Sequence, residues 1–265
     1  MGFTKSEWIT IAGMIVSILL VPITSFVTTY VFQRSLEQEK RVYSLIHQTY
    51  LGEGLHEIES YLSTFGTSTV TAIADFGREI RRLRDDPDII KKLQFKAEEI
   101  SNRKNVQDLI NRNYGEASKA FPRLQRFGMP LYQAVKNTFY QYSRWLEDAL
   151  DVSLLEPQLQ NIDLLLGEKT GFTAAATLLQ NMEIYLERRL RQLDDYIWEN
   201  NYKTYSDFTE LTKSDSFDEF ILEFEEYNNF IKLWEDNKGT PEAGDISNEF
   251  NDWLLEHINI NPLES

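Results

Sequence analysis

Cysteine is absent from the chain, so disulfides, thiolate metal sites, iron–sulfur clusters and a cysteine nucleophile are all excluded. Histidine is nearly as scarce. The three residues, His47, His56 and His257, include no His-Glu-x-x-His pair, so zinc hydrolase chemistry has little to build on. The glycine patterns that cradle phosphate or present a serine nucleophile are also missing. The nearest string, Gly167-Glu168-Lys169-Thr170, lacks both the leading glycine and the Gly-Lys pair of a phosphate loop. Glu53 and His56 stand at the Glu-x-x-His spacing of carboxylate-bridged metal sites. Such sites need a second pair, which the chain does not have, and Gly54 weakens the helix that would carry this one, so no metal and no other cofactor is expected. Positive charge is in deficit as well: 27 Lys and Arg face 42 Asp and Glu, a formal net charge of −15. A field of that sign repels nucleic acid and anionic lipid from the surface as a whole, so nucleic acid is not an expected partner.

One feature stands out against these absences. Between Trp8 and Gln33 the chain carries no charged residue. A helix of about 25 residues rises roughly 37 Å, enough to cross a ~30 Å hydrocarbon layer with some tilt. Trp8 and Tyr30 suit the two interfacial belts, and Lys5 and Arg34 close the window. The run is longer than the apolar region of a secretory signal, and Tyr-Val-Phe-Gln-Arg follows it where a cleavable signal would need small residues. A retained transmembrane helix over 8–33 is therefore expected, making membrane lipid the first partner. Arg34, Lys40 and Arg41 behind the span, against Lys5 and the amino terminus before it, place the C-terminal domain on the cytoplasmic side.

The span has a patterned side. At 100° per residue, Thr10, Gly13, Ser17, Thr24 and Thr28 fall within an arc of about 60°, with Val21 among them. Small residues let helices approach closely in lipid and hydroxyls bond across the gap, so this face is a candidate self-association seam, or a pore lining in a larger ring. Pro22 lies on another side, where it removes one backbone bond and kinks the helix mildly.

Everything behind the span reads as helix. Residues 34–51 place Leu36, Tyr43 and Tyr50 at heptad spacing, a stalk that Gly52 and Gly54 interrupt. A domain follows over 52–258, with a possible internal boundary near 203–216 and a tail at 259–265, behind a short flank at 1–7. Thr67 and Ser68 are candidate caps for an amphipathic helix through Val70, Ile73, Phe76 and Ile80, and Asp88 for the next. A longer helix carries Leu131, Val135, Phe139, Leu146 and Leu150. The clearest series is Leu179, Met182, Leu186, Leu190, Leu193 and Ile197, which predicts a central scaffold helix. Phe217, Phe220 and Phe224 mark another, and Pro241-Glu242 opens a last one. With no strand alternation and no 20–50-residue repeat, the fold class is all-α: one transmembrane helix and a multi-helix domain.

Two residue sets bear on function. Arg78, Arg81, Arg82, Arg84, Lys91 and Lys92 gather in the first half while acids dominate from Asp207 onward, so the basic set is a candidate patch for lipid headgroups, an acidic partner, or the chain's own acidic half. Arg41 and His47, separated by five residues on the stalk, stand at a spacing that resembles the Arg-x(4–6)-His motif of helical HEPN-type ribonucleases. That resemblance implies Arg41 as a phosphate clamp and His47 as the acid or base of RNA cleavage. The residues taken together favour a non-enzymatic, membrane-anchored binding or assembly protein that self-associates through its span. A membrane-perforating effector is the first alternative and a ribonuclease the second.

Overall fold

A computed structural model describes residues 51–115, 117–166, 171–202, 207–237 and 242–264. The expected span, its patterned face (Thr10, Gly13, Ser17, Thr24, Thr28), the stalk up to Tyr50, Arg41 and His47 all lie outside the described residues. Within them the chain is all-helical, without a strand. None of the described helices is long and apolar enough to cross a membrane.

Among the described residues, seven α-helices of seven residues or more carry the architecture: α1 Leu55–Arg82, α2 Ile89–Ser101, α3 Lys104–Ile110, α4 Met129–Leu150, α5 Phe172–Glu199, α6 Asp215–Asp236 and α7 Glu242–His257. Short turns between α3 and α4 and between α4 and α5 complete the path. The largest helix–helix contact joins α1 to α5; α4 packs on α1 and α6, α3 on α1 and α4, and α7 on α5 and α6.

α1 begins well before the expected Thr67–Ser68 start. Gly54, at φ 89°, turns the chain into it, and Leu55, Ile58, Leu62 and Phe65 continue the buried stripe backward from Ile73, Phe76 and Ile80. The hydroxyls at this point do not cap a helix start: Thr67 reaches across to α5, and the next two turn back on their own helix. Ser68 Oγ donates to the Thr64 carbonyl at 2.7 Å and Thr69 Oγ1 to Phe65 at 2.9 Å, which satisfies them inside a helix that has no end there. Gly54 also separates Glu53 from the helix that carries His56, so the Glu-x-x-His pair is not displayed on one face. The Asp88 side chain makes no cap bond; Asp86 Oδ1 accepts from the Asp88 amide at 2.9 Å and fixes the turn ahead of α2.

α5 meets its expectation residue by residue. Leu179, Met182, Leu186, Leu190, Leu193 and Ile197 are all buried. Phe139 of α4 is the aromatic centre of the α1–α3–α4 side, with Phe65 at 5.6 Å and Phe121 at 4.9 Å between ring centroids. Tyr185, Tyr227, Phe250 and Trp253 do the same where α5, α6 and α7 meet. Each such ring contributes about 1.5–3 kcal/mol through removal from water, more where edges meet faces. The helices on either side of the stretch near 203–216 belong to one core, since α6 packs on α4 and α7 on α5.

The chain end is tied down rather than trailing. Arg189 of α5 is fully buried, and its guanidinium donates to Glu223 Oε2 at 2.7 Å, to Gln192 Oε1 at 2.7 Å, and to the carbonyls of Ile260 at 2.7 Å and His257 at 2.9 Å. Those carbonyls close α7 and start the residues expected as a tail, where Leu263 is buried. A buried guanidinium tolerates this position because its donors are engaged and a carboxylate balances its charge.

Candidate functional site

The described domain offers two places where side chains do more than fill space. The first is an open cleft of about 540 Å³, within the range of small-molecule sites. Trp145 of α4 and Trp234 of α6 form one wall, stacked at 5.2 Å with their planes 20° apart. Ile73 of α1, Phe172 and Ala175 of α5, and Leu154, Leu155 and Leu165 from the turns after α4 complete the apolar lining. Asp148 and Gln158 add the polar groups. Trp145 and Asp148 share a face because they lie three residues apart on α4. The cleft exists because α4 ends at Asp151, whose carboxylate caps the next turn through the Ser153 amide at 2.9 Å and swings Leu154 and Leu155 across rather than onward.

The second is a polar ladder inside the α1–α5 contact. Glu59, Ser63 and Thr67 recur every four residues on α1, and Arg191, Glu187 and Glu183 run the opposite way on α5. The outer rung is an ion pair, Glu59 with Arg191. On the middle rung the Ser63 hydroxyl faces Glu187 closely enough to favour its ionised form. On the inner rung Thr67 Oγ1 donates to Glu183 Oε1 at 3.3 Å. Glu183, 8% exposed, lies flat against α1 at Gly66, where a Cβ would sit 2.4 Å from its Oε2. Burial, then the neighbouring Glu187 charge, pushes the Glu183 carboxyl up to about 7. Burial also raises Glu187, with Ser63 and Arg191 opposing and Glu59 adding to the rise. From α4 comes Tyr142, fully buried, whose hydroxyl is within electrostatic reach of both carboxylates and whose ionisation burial suppresses.

The basic set named from sequence is interleaved with acids. Arg78 pairs with Asp75, Arg82 with Glu79, Lys92 with Asp86, and Arg84 grips Asp163 with two bonds of 2.9 Å. Their partners come from the first two-thirds of the chain, so the acidic half beyond Asp207 is not what balances them. Arg81 and Lys91 point to solvent, with the strongly exposed Phe95 on the same helix as Lys91. Among the described residues no group of three or more His, Asp or Glu could hold a metal ion. His56 meets Glu59, its Nδ1 3.4 Å from Oε2, and His257 Nδ1 lies 2.8 Å from the Trp253 carbonyl.

The ladder and the Arg189 network escaped the reading of the sequence, which followed only the apolar series on α5. A signal was present: at 100° per residue Glu183 falls about 40° from the Leu179–Ile197 line, inside the buried arc. No family model matches the chain, and no significant match is found among curated proteins or solved structures.

Proposed function

We propose that this chain is a single-pass, membrane-anchored binding and assembly protein without catalytic activity. In this reading the run 8–33 holds it in the bilayer and joins copies of it, and the cytoplasmic helical domain offers its cleft to an apolar ligand or partner segment. The observation that carries the reading is the uncharged run from Trp8 to Gln33 in front of a helical domain. In that run an anchor accounts for the length, the aromatic ends and the flanking cations together. The cleft supports the binding half, because aromatic surface left open between four long helices is surface available to a partner.

Self-association rests on the Thr10, Gly13, Ser17, Thr24 and Thr28 face. The test is crosslinking of the full-length chain in lipid, with and without Gly13→Leu and Ser17→Leu. Loss of the oligomer in the variants supports the seam, and an unchanged oligomer contradicts it. A second reading has an observation of its own: four of the five residues on that face carry hydroxyls, which would suit a weakly polar lumen. A perforating effector of that kind would collapse membrane potential on induction, whereas an assembly protein would leave it unchanged.

A further inference from the structure

We propose that Glu183 and Glu187 form a proton-binding site that sets how firmly α1 is held against α5. The proposal goes beyond membrane anchoring and does not depend on it. The two carboxyls sit one turn apart on α5, inside the largest helix–helix contact of the domain. Among the described residues neither has an ion-pair partner; the nearest cation along the ladder, Arg191, is engaged by Glu59. From α1 they meet Ser63 and Thr67, which supply hydroxyls but no charge. α4 presents Tyr142, and behind it Tyr227 of α6 bonds to Thr138. Glu223 of α6 is occupied by Arg189 and Tyr185.

Two ionised carboxylates in such surroundings repel each other; Arg191 offsets part of this at Glu187 but is shared with Glu59, and removal from water adds to the cost. One proton relieves both penalties. Glu187 Oε1 and the Tyr142 hydroxyl, both buried, have no hydrogen-bond partner among the described residues, so the site retains donor and acceptor capacity for a shared proton. Gly66 gives the site its closeness to α1. Without a side chain there, Glu183 presses on the α1 backbone, and extra charge on it acts directly on the seam. The rise of Glu183 to about 7 puts the exchange in the physiological range.

The test is hydrogen exchange of the full-length chain in nanodiscs at pH 6 and pH 8, corrected for intrinsic chemistry. A carboxyl that titrates near 7 when folded and near 4.5 when released makes opening of α1 and α5 about ten-fold more frequent at pH 8. Glu183→Gln, which mimics the protonated state, should reduce that ratio to below about two-fold, and Glu187→Gln should reduce it as well. Carbon-13 titration of the unsubstituted chain needs no variant and should show a glutamate carboxyl with its midpoint near 7. Equal protection at both pH values in the natural chain, an undiminished ratio in both variants, or glutamates that all titrate below about 5.5 would overturn the proposal.

Discussion

Replacing Gly66 by alanine tests the α1–α5 seam most sharply, because helix propensity and packing give opposite answers. In an open helix the change would stabilise by about 1 kcal/mol. Here the new Cβ would lie 2.4, 2.6 and 2.9 Å from Oε2, Cδ and Cγ of Glu183, so the carboxylate must leave its place or the helices must part. Overpacking of this kind costs about 1–3 kcal/mol, and loss of the Thr67 bond about 1 more. The net expectation is a destabilisation of about 1.5–2 kcal/mol, or a fall of about 4–6 °C in the melting temperature of the full-length chain followed by circular dichroism. With Glu183→Ala already in place the obstacle is gone, and the same substitution should stabilise by about 0.5–1 kcal/mol. The cycle then shows a coupling of about 2–3 kcal/mol. A Gly66→Ala chain that melts higher than the natural one, or effects that add within about 0.5 kcal/mol, would refute the packing argument.

Other expectations follow from the same contacts. Arg189→Ala removes the guanidinium and leaves Glu223 without its cation, so a loss of about 3–5 kcal/mol in denaturant titration is expected, with Arg189→Met milder if Glu223→Gln accompanies it. Because folding raises the Glu183 pKa, its contribution to stability is complete below its ordinary value near 4.5 and lost as pH rises through about 7. Chemical denaturation should therefore give a chain less stable at pH 8 than at pH 5 by about 2.5 kcal/mol from this group, a difference that Glu183→Gln removes. At the cleft, a neutral apolar fluorophore such as N-phenylnaphthylamine should bind the natural chain, and Ala175→Trp, which enlarges a lining side chain, should weaken binding at least about five-fold without changing the helical signal.

How far the fold could be read in advance depended on whether the determining contact was local. The α5 series announced itself because six apolar residues at three- and four-residue steps need only one partner surface, and α4 and α6 followed the same rule. The first half of α1 was hidden by Gly66 and the Thr67–Ser68–Thr69 run. These residues ordinarily break or begin helices; here Gly66 serves a close approach, Thr67 bonds across to Glu183, and Ser68 and Thr69 bond back to the preceding turn. Only the α5 half of the ladder had a signature, Glu183 in the apolar arc; its α1 half depends on which helix lies opposite. The Arg189 network has none, since two of its acceptors are backbone carbonyls about 70 positions away. The cleft was equally invisible, being a gap left where α4 stops and the chain turns at Asp151.

The central claim is the anchor, and alkaline carbonate extraction of membranes from cells expressing the full-length chain addresses it most directly. The account predicts that the protein stays in the pellet and leaves it only with detergent. Release into the carbonate supernatant, as a chain that remains monodisperse in plain buffer, would contradict it.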